Sequence, residues 1–420
     1  MRFISKNKPL VEKSDHPLLA LDIGSEFVKA VIAKAGLNHN IEIIGVGAAR
    51  QKQGNMVNGA ISDILSVVKS CERALQNAEA RAGLTAKKVI VGIAGELVKG
   101  DTSRIRYRRK NGDRPITESE MNRIIKKAED HARTNAKQQL SEDTDNPAVE
   151  IRLINSAIVS LEIDGYKISN PIGFKGTEVN LQFYTAFAPL VHISAIESVC
   201  AELSLDLVAV AVEPFAACRA CMGSDLDSDM TAVVIDIGGG TTDIAVVEDG
   251  GVEGTKMFGI GGRSFTNQIC ESTGLDYDAA EKLKIIPSRL ALPAVLKQNA
   301  IEAIMKNLEV WLSGVQLGLS DFSVEALPSR ILLCGGGASL LQLQDILATT
   351  NWYKDLAFSR RPVIHLLTID DIPDVKNHTK VRLNHNFITA IGLIRVGIDT
   401  LSNTPKDNSF MSRFFRLLQN

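Results

Sequence analysis

Two aspartates stand at matching places in two similar stretches. Asp236 follows the apolar run Ala232–Ile235 in TAVVIDIGGGTTDIAVV (231–247). Behind it come Gly238, Gly239 and Gly240, then Thr241 and Thr242, then a second apolar run, Ile244–Val247. Asp22 stands in LALDIGSEFVKAVIA (19–33), and laying it on Asp236 puts Ile23 on Ile237 and Gly24 on Gly238. A carboxylate at the end of a buried strand suits hydrated Mg²⁺, which needs only one or two carboxylates plus phosphate oxygens. Glycines bring backbone N–H groups close to an anion, and the two threonine hydroxyls add donors. A glycine-rich hairpin without a ligand is the plain alternative, and the repeat weighs against it. A third glycine turn, ILLCGGGASLL (331–341), leads from an apolar run into a helical start.

These residues need strands to carry them. β-Branched runs on either side of a glycine turn predict two strands joined by a tight hairpin, in both copies. Ile41–Val46 and Lys88–Ala94 are further strands. Ile61–Gly83 is a helix, with apolar residues at Ile61, Ile64, Leu65, Val68, Cys71 and Leu75 and Gly83 as its stop. The composition shifts from about Glu96 to Pro189. There a basic stretch, Arg104–Arg114, reads as a solvated strand or loop. The capping signature TESE (117–120) opens a helix through Gln139, and the polar loop SEDTDNP follows. IRLINSAIVSLEID, YKISNPIGFKG and EVNLQFYTAFAP then predict two or three strands. A helix with such strands makes a small inserted α+β domain. Val191–Leu203 is helical, Leu207–Val212 a strand, and Glu213-Pro214 begins another helix. Helices are expected at Arg263–Thr273, Tyr277–Leu283, Ala294–Gly318 and Phe387–Asp399.

The chain has 420 residues, enough for more than one domain. A hydrophobic content of 45% is ordinary for a globular protein, and a net charge of −2 argues against a general nucleic-acid binder. The N-terminal segment lacks the apolar core of a signal peptide, and no apolar run reaches the roughly 20 residues that span a bilayer. Cys218 and Cys221 lie in an apolar helix-like stretch with no second ligand pair nearby, which favours free thiols over zinc or redox chemistry. The final segment, SFMSRFFRLLQN, places Phe410, Met411, Phe414, Phe415, Leu417 and Leu418 on one side, and Arg413 and Arg416 on the other. That is the pattern of an interfacial amphipathic helix behind a polar linker, for which anionic lipid is the natural surface. Docking on the protein's own core is the alternative.

The two hairpins and the third glycine turn, in this order, resemble the actin, Hsp70 and sugar-kinase superfamily: first phosphate loop, second phosphate loop, adenosine loop. Over about residues 17–420 the chain resembles FtsA, the bacterial cell-division actin homologue. The likeness rests on GAARQKQGNMVNGAISDI, NPIGFKG, IDIGGGTTDIAV, IGGRSFTNQI, AAEKLK, ILLCGGGASL and the amphipathic tail. Phe27 and Asn267 depart from the family's pattern, and the segment from Lys284 to Ser329 is shorter than usual.

The resemblance implies an α/β, actin-like fold: duplicated ribonuclease H-like halves around a nucleotide cleft, with an inserted α+β subdomain. It divides the chain into a leader (1–16), a first half (17–98 and 190–229), the insertion (99–189) and a second half (230–256 and 328–400). A helical nucleotide-wall subdomain (257–327), a linker (401–408) and a membrane-targeting helix (409–420) complete the division. Asp22 and Asp236 are implied to flank Mg²⁺. Gly24, Ser25, Gly238, Gly239, Gly240, Thr241 and Thr242 are implied to contact the phosphates of ATP. Gly335, Gly336, Gly337 and Ser339 are expected against adenosine, with Gly261 and Gly262 at the other wall. Glu213 is matched to a position that orients water or hydrated Mg²⁺, and a helix-terminal carboxylate is its alternative. Glu281 and Lys284 are matched to a pair near ribose and adenine, with a surface salt bridge as the alternative.

The function implied is an ATP-binding protein of the cytoplasmic membrane face at the division site. It polymerises head to tail on anionic lipid, binds the FtsZ C-terminal peptide and other divisome proteins, and hydrolyses ATP slowly if at all. A PilM-like pilus assembly platform, a sugar or acetate type kinase, and an Hsp70-like chaperone are the other classes weighed. NPIGFKG and the tail speak against the first, and the kinase should carry an acidic catalytic base and no lipid helix. The chaperone would need a substrate-binding domain beyond the last core helix.

Overall fold

The computed structural model describes residues 14–224, 228–285 and 292–402. The leader, for the most part, and the amphipathic tail expected at 409–420 lie outside the described residues.

Strands β1 (Ser14–Ile23), β2 (Phe27–Ala35) and β3 (Ile41–Arg50) form an antiparallel meander. A small hairpin of β4 (Met56–Val57) and β5 (Ala60–Ile61) leads to α1 (Ile64–Ala82) and β6 (Lys88–Ile93). Asp63 caps α1 by accepting from Ser66 N at 3.0 Å, and Gly83 ends it at φ 67°. Such a cap is worth about 1 kcal/mol. The helix lies close on β3 because Gly47 has no Cβ; one there would run into Ala74 O.

The insertion holds β7 (Lys99–Arg108), α2 (Glu118–Thr144), β8 (Ile151–Ile163), β9 (Tyr166–Lys167) and β10 (Glu178–Pro189). Then come α3 (Leu190–Glu202), β11 (Asp206–Val212) and α4 (Glu213–Met222). A second meander, β12 (Ala232–Ile237), β13 (Thr242–Glu248) and β14 (Gly251–Phe258), is followed by α5 (Gly262–Thr273), α6 (Tyr277–Ile285) and α7 (Ala294–Ser320). The order closes with β15 (Arg330–Cys334), α8 (Leu341–Thr349), β16 (Val363–Leu366), β17 (Val375–Asn377) and α9 (Ile388–Ser402).

One sheet runs β11-β6-β1-β2-β3-β17 and the other β16-β15-β12-β13-β14-β7-β10-β8-β9. Within them the series β3-β2-β1-β6-β11 and β14-β13-β12-β15-β16 have the same order and the same pairing senses. The repeat read at Asp22 and Asp236 is therefore a repeat of whole folds. Helices α4 and α9 fill the space between the two sheets, with Ala216, Ala217, Ile391 and Ile394 fully buried. Strand alternation divides the second half. Val233, Ile235, Ile237, Ile244 and Val246 join the core beneath α5 and α7, while Ala232, Val234, Ala245 and Val247 join the core around α4 and α9.

The insertion departs from expectation in three places. SEDT is helical rather than a loop, because Ala132, Ala136 and Leu140 extend the buried stripe of α2. YKISNPIGFKG is a strand only at Tyr166–Lys167; beyond it Asn170 Oδ1 accepts from Ile172 N at 3.1 Å and Gly173 turns at φ 88°. The capping signature is half formed. Thr117 caps α2, but the Glu120 carboxylate turns to Arg109, with Nε–Oε1 2.8 Å and Nη2–Oε2 2.9 Å. Arg109 also donates to Gly176 O and Arg114 O, so one member of the basic stretch is a buried tie between loops. The remainder of that stretch is an ordinary half-exposed strand and turn. At the other end of the chain, β1 begins at Ser14, inside the span read as a leader.

Candidate nucleotide cleft

The two hairpin turns approach one another where the halves meet. A Cβ on Gly239 would lie 2.8 Å from Glu26 Cβ, and one on Gly240 would lie 2.6 Å from Ser25 Oγ. Beside them opens a cavity of about 430 Å³. Of the residues singled out in the sequence, Asp22, Gly24, Ser25, Glu213, Asp236, Gly238, Gly239, Gly240 and Thr241 line it. So do Gly262, Glu281, Lys284, Gly335, Gly336, Gly337 and Ser339. Three segments of sequence thus converge on one space. Gly335 needs its glycine: φ is 81°, and a Cβ would run into Asp236 Oδ1.

Two expected residues are not on the wall. Gly261 lies just behind it, against Gly238 and Gly239. Thr242 points to the opposite face of β13. Its hydroxyl donates to Ile260 O at 2.7 Å and accepts from Trp311 Nε1 at 2.9 Å. Alternation explains this, since Thr242 shares its face with Ile244 and Val246.

The cavity floor is acidic. Asp22 and Asp236 stand one residue before the ends of β1 and β12, Asp243 is the second residue of β13, and Glu213 opens α4. Burial pushes Asp236 above the usual carboxylate range, with Lys29 partly offsetting it. Burial pushes Asp243 and Glu213 well above that range, and the neighbouring aspartates add to the effect. Lys29 lies among them, 2.7 Å from Asp22 Oδ2. Burial opposes its charge, but Asp22, Asp236 and Glu213 hold it above the ordinary lysine value. The Thr389 hydroxyl on α9 donates to Asp236 Oδ2 and fixes that carboxylate.

Asp243 Oδ1 is buried without a hydrogen-bond partner among the described atoms. Among the described residues no three of His, Cys, Asp and Glu converge as inner ligands of a metal. The donor set fits a hydrated divalent cation, which needs only one or two carboxylates: buried carboxyl groups line one cavity, and one of them has an unused acceptor.

At the far wall Lys284 Nζ lies 2.7 Å from Glu281 Oε2, and it donates to Gly262 O and Thr266 Oγ1 at 2.8 Å each. The Thr266 hydroxyl donates to Glu281. The pair is largely enclosed at the cavity wall, not a surface salt bridge. Lys29, Glu26, Arg263, Tyr277, Asp243 and Asn386 also line the cavity and were not singled out in the sequence. One signal for Lys29 and Asp243 was present: each follows its aspartate by seven positions, as Asp22↔Lys29 and Asp236↔Asp243 pair across their hairpins.

The duplicated sheets around a shared cleft are the actin-like ATPase fold. A solved structure titled "PilM-PilN type IV pilus biogenesis complex" superposes with a TM-score of 0.63 at 18% identity, covering 91% of this chain and 98% of that one. The family profile described as "Cell division protein FtsA" matches residues 233–360. The FtsA of Neisseria meningitidis serogroup B is 25% identical over 348 residues, covering 78% of this chain and 80% of that protein. The FtsA of Pseudomonas aeruginosa is 22% identical over 428 residues, 95% of this chain and 94% of that protein. Over most of its length the chain is similar to the FtsA cell-division proteins, in line with the resemblance read from its sequence.

Proposed function

We propose that this protein is an ATP-binding actin-like cell-division protein that polymerises on the membrane and tethers FtsZ filaments there. The observation that carries the reading is the cleft, in which glycine turns from both halves and a third glycine turn line one cavity beside buried aspartates. Gly24, Ser25, Gly238, Gly239, Gly240 and Thr241 take the phosphates. Gly335–Gly337 and Ser339 take adenosine, opposite Glu281 and Lys284. Asp22 and Asp236 would hold a hydrated Mg²⁺, which would supply neutralisation of phosphate and carboxylate charge together. Glu213 orients water or that ion.

A ligand that touches both halves favours the closed arrangement, by about 2.7 kcal/mol at a hundred times its dissociation constant. Closing forms the surface on which the next subunit docks, so nucleotide acts as a structural switch rather than as a substrate turned over quickly. The amphipathic segment at 409–420 supplies the hold on anionic lipid at the cytoplasmic face.

Liposome co-sedimentation with ATP and Mg²⁺ tests the reading, comparing the full chain with one lacking 408–420. Only the full chain should pellet with anionic vesicles. If neither pellets, the tail is not an anchor and a PilM-like docking platform replaces the tether.

A further inference from the structure

Glu26, in the turn between β1 and β2, is the centre of a polar network that crosses the mouth of the cleft. From the second half, Arg263 Nε lies 2.9 Å from Glu26 Oε2 and its other arm donates to Ser25 O. Tyr277 donates to Glu26 Oε2 at 3.4 Å. From the first half, Arg50 Nε lies 2.8 Å from Glu26 Oε1, while its Nη1 reaches across to Asp278 Oδ1 at 2.9 Å. The Arg50 guanidinium also lies over the Tyr277 ring, 5.9 Å from its centroid.

Two arginines and two carboxylates cancel in charge, so the network stands without an added ion. Its inner pair, Glu26 and Arg263, is 15% and 17% exposed, enough enclosure for a charge-assisted bond to be stronger than a surface pair. Its outer pair, Arg50 and Asp278, is open to solvent. Since Glu26, Arg263 and Tyr277 also line the cavity, the halves cannot separate at this edge without breaking these bonds.

We propose that Glu26, Arg50, Arg263, Tyr277 and Asp278 form a latch across the cleft that sets how fast nucleotide enters and leaves. The proposal rests on the nucleotide reading above. A latch differs from a ligand contact in its kinetics. Breaking a latch raises the association and dissociation rates together and moves the dissociation constant little, whereas removing a ligand contact raises dissociation alone. Added salt should act like a mutation, because it screens the exposed outer pair.

The test is stopped-flow binding and chase of a fluorescent ATP analogue with Mg²⁺ on the full chain. Glu26→Gln takes the charge from both arginine contacts and leaves a single acceptor oxygen, so it should speed both rates by roughly tenfold or more. Asp278→Asn, at an exposed position that does not endanger folding, should speed both by roughly twofold to fivefold. Arg50→Asp should speed both, and adding Asp278→Arg should slow them again. Unchanged rates in Asp278→Asn together with no rescue by the charge swap would overturn the latch, as would an effect on dissociation alone.

If the unmodified chain binds no analogue at equilibrium, the nucleotide reading fails by itself. The latch is then read without nucleotide, from hydrogen exchange of the Gly238–Thr241 amides. Faster exchange in Glu26→Gln supports it, and equal exchange overturns it.

Discussion

Lys29 and Asp243 occupy the same place in the two halves. Each is the cross-strand partner of a hairpin aspartate, Lys29 of Asp22 and Asp243 of Asp236. The duplicated fold thus presents an amine on one side of the cleft and a carboxyl group on the other. Lys29→Met leaves several buried carboxylates uncompensated and should cost about 3–5 kcal/mol, the usual penalty for breaking a buried pair. Asp243→Asn removes a buried acid of nearly equal shape. It should raise the melting temperature without divalent cation, while reducing the further rise on adding Mg²⁺ and ATP. Thermal melts with and without the cation check both.

The adjacent threonines separate binding from stability. Thr242→Val removes the acceptor of the Trp311 N–H and the donor to Ile260 O, so it should destabilise the chain by about 1–3 kcal/mol. Its nucleotide affinity should hold within a factor of two. Thr241→Val, on the cavity wall, should show the reverse pattern. Urea titration beside equilibrium nucleotide binding distinguishes the two.

Acid should act on the insertion through Glu120. Its bonds to Arg109 hold the carboxyl below the ordinary glutamate value of 4.5. Because the folded value is the lower one, the stabilisation is complete above pH 4.5 and is lost as pH falls through the folded value. Glu120→Gln should lower stability at neutral pH and flatten its loss below that point. Arg109→Met should cost about 3 kcal/mol or more, since the Arg109 side chain is 2% exposed and its partners would be stranded. Unfolding followed across pH 3 to 7 reads the sign of the first effect, with the pH range about that of carboxylate titration.

Gly335→Ala should abolish nucleotide binding and destabilise the fold together. Position 335 has φ 81°, and a methyl group there would meet Asp236 Oδ1 and the Ile237 carbonyl. By contrast Gly336→Ala meets only Asn386 Oδ1 at 3.9 Å and should fold normally. Circular dichroism and binding titration of the two variants form the comparison.

Much of the cleft was legible because its signals are local. Apolar runs broken by glycines at Gly24, Gly238 and Gly335 fix strands and turns, and an aspartate before each of the first two glycine turns lines the cavity. What remained hidden depends on pairing across strands or between distant helices. Lys29 belongs to the site through its register with Asp22, Thr389 through the return of α9 to Asp236, and Arg263 through its reach to Glu26. Thr242 is instructive in another way. Its alternation with Ile244 and Val246 places it on the core face of β13, where its hydroxyl meets Trp311 rather than the cleft. In the insertion, Glu120 satisfies the capping signature in spacing, but a buried arginine makes a stronger claim on its carboxylate than the helix end does.

The short junction between β7 and β14 joins the insertion, which the chain enters and leaves through the first half, to the sheet of the second half. Gly100 and Asp101 pair there with Thr255 and Gly254, and Thr102 Oγ1 donates to Val252 O at 2.8 Å. Covalent order and mechanical grouping therefore differ. A neighbour that grips the β8–β9 edge takes hold, through a row of strands, of the sheet that carries Asp236. The insertion is a handle mounted on one half and wired to the other, so load applied at the rim reaches the second hairpin without first passing through the helices between the sheets.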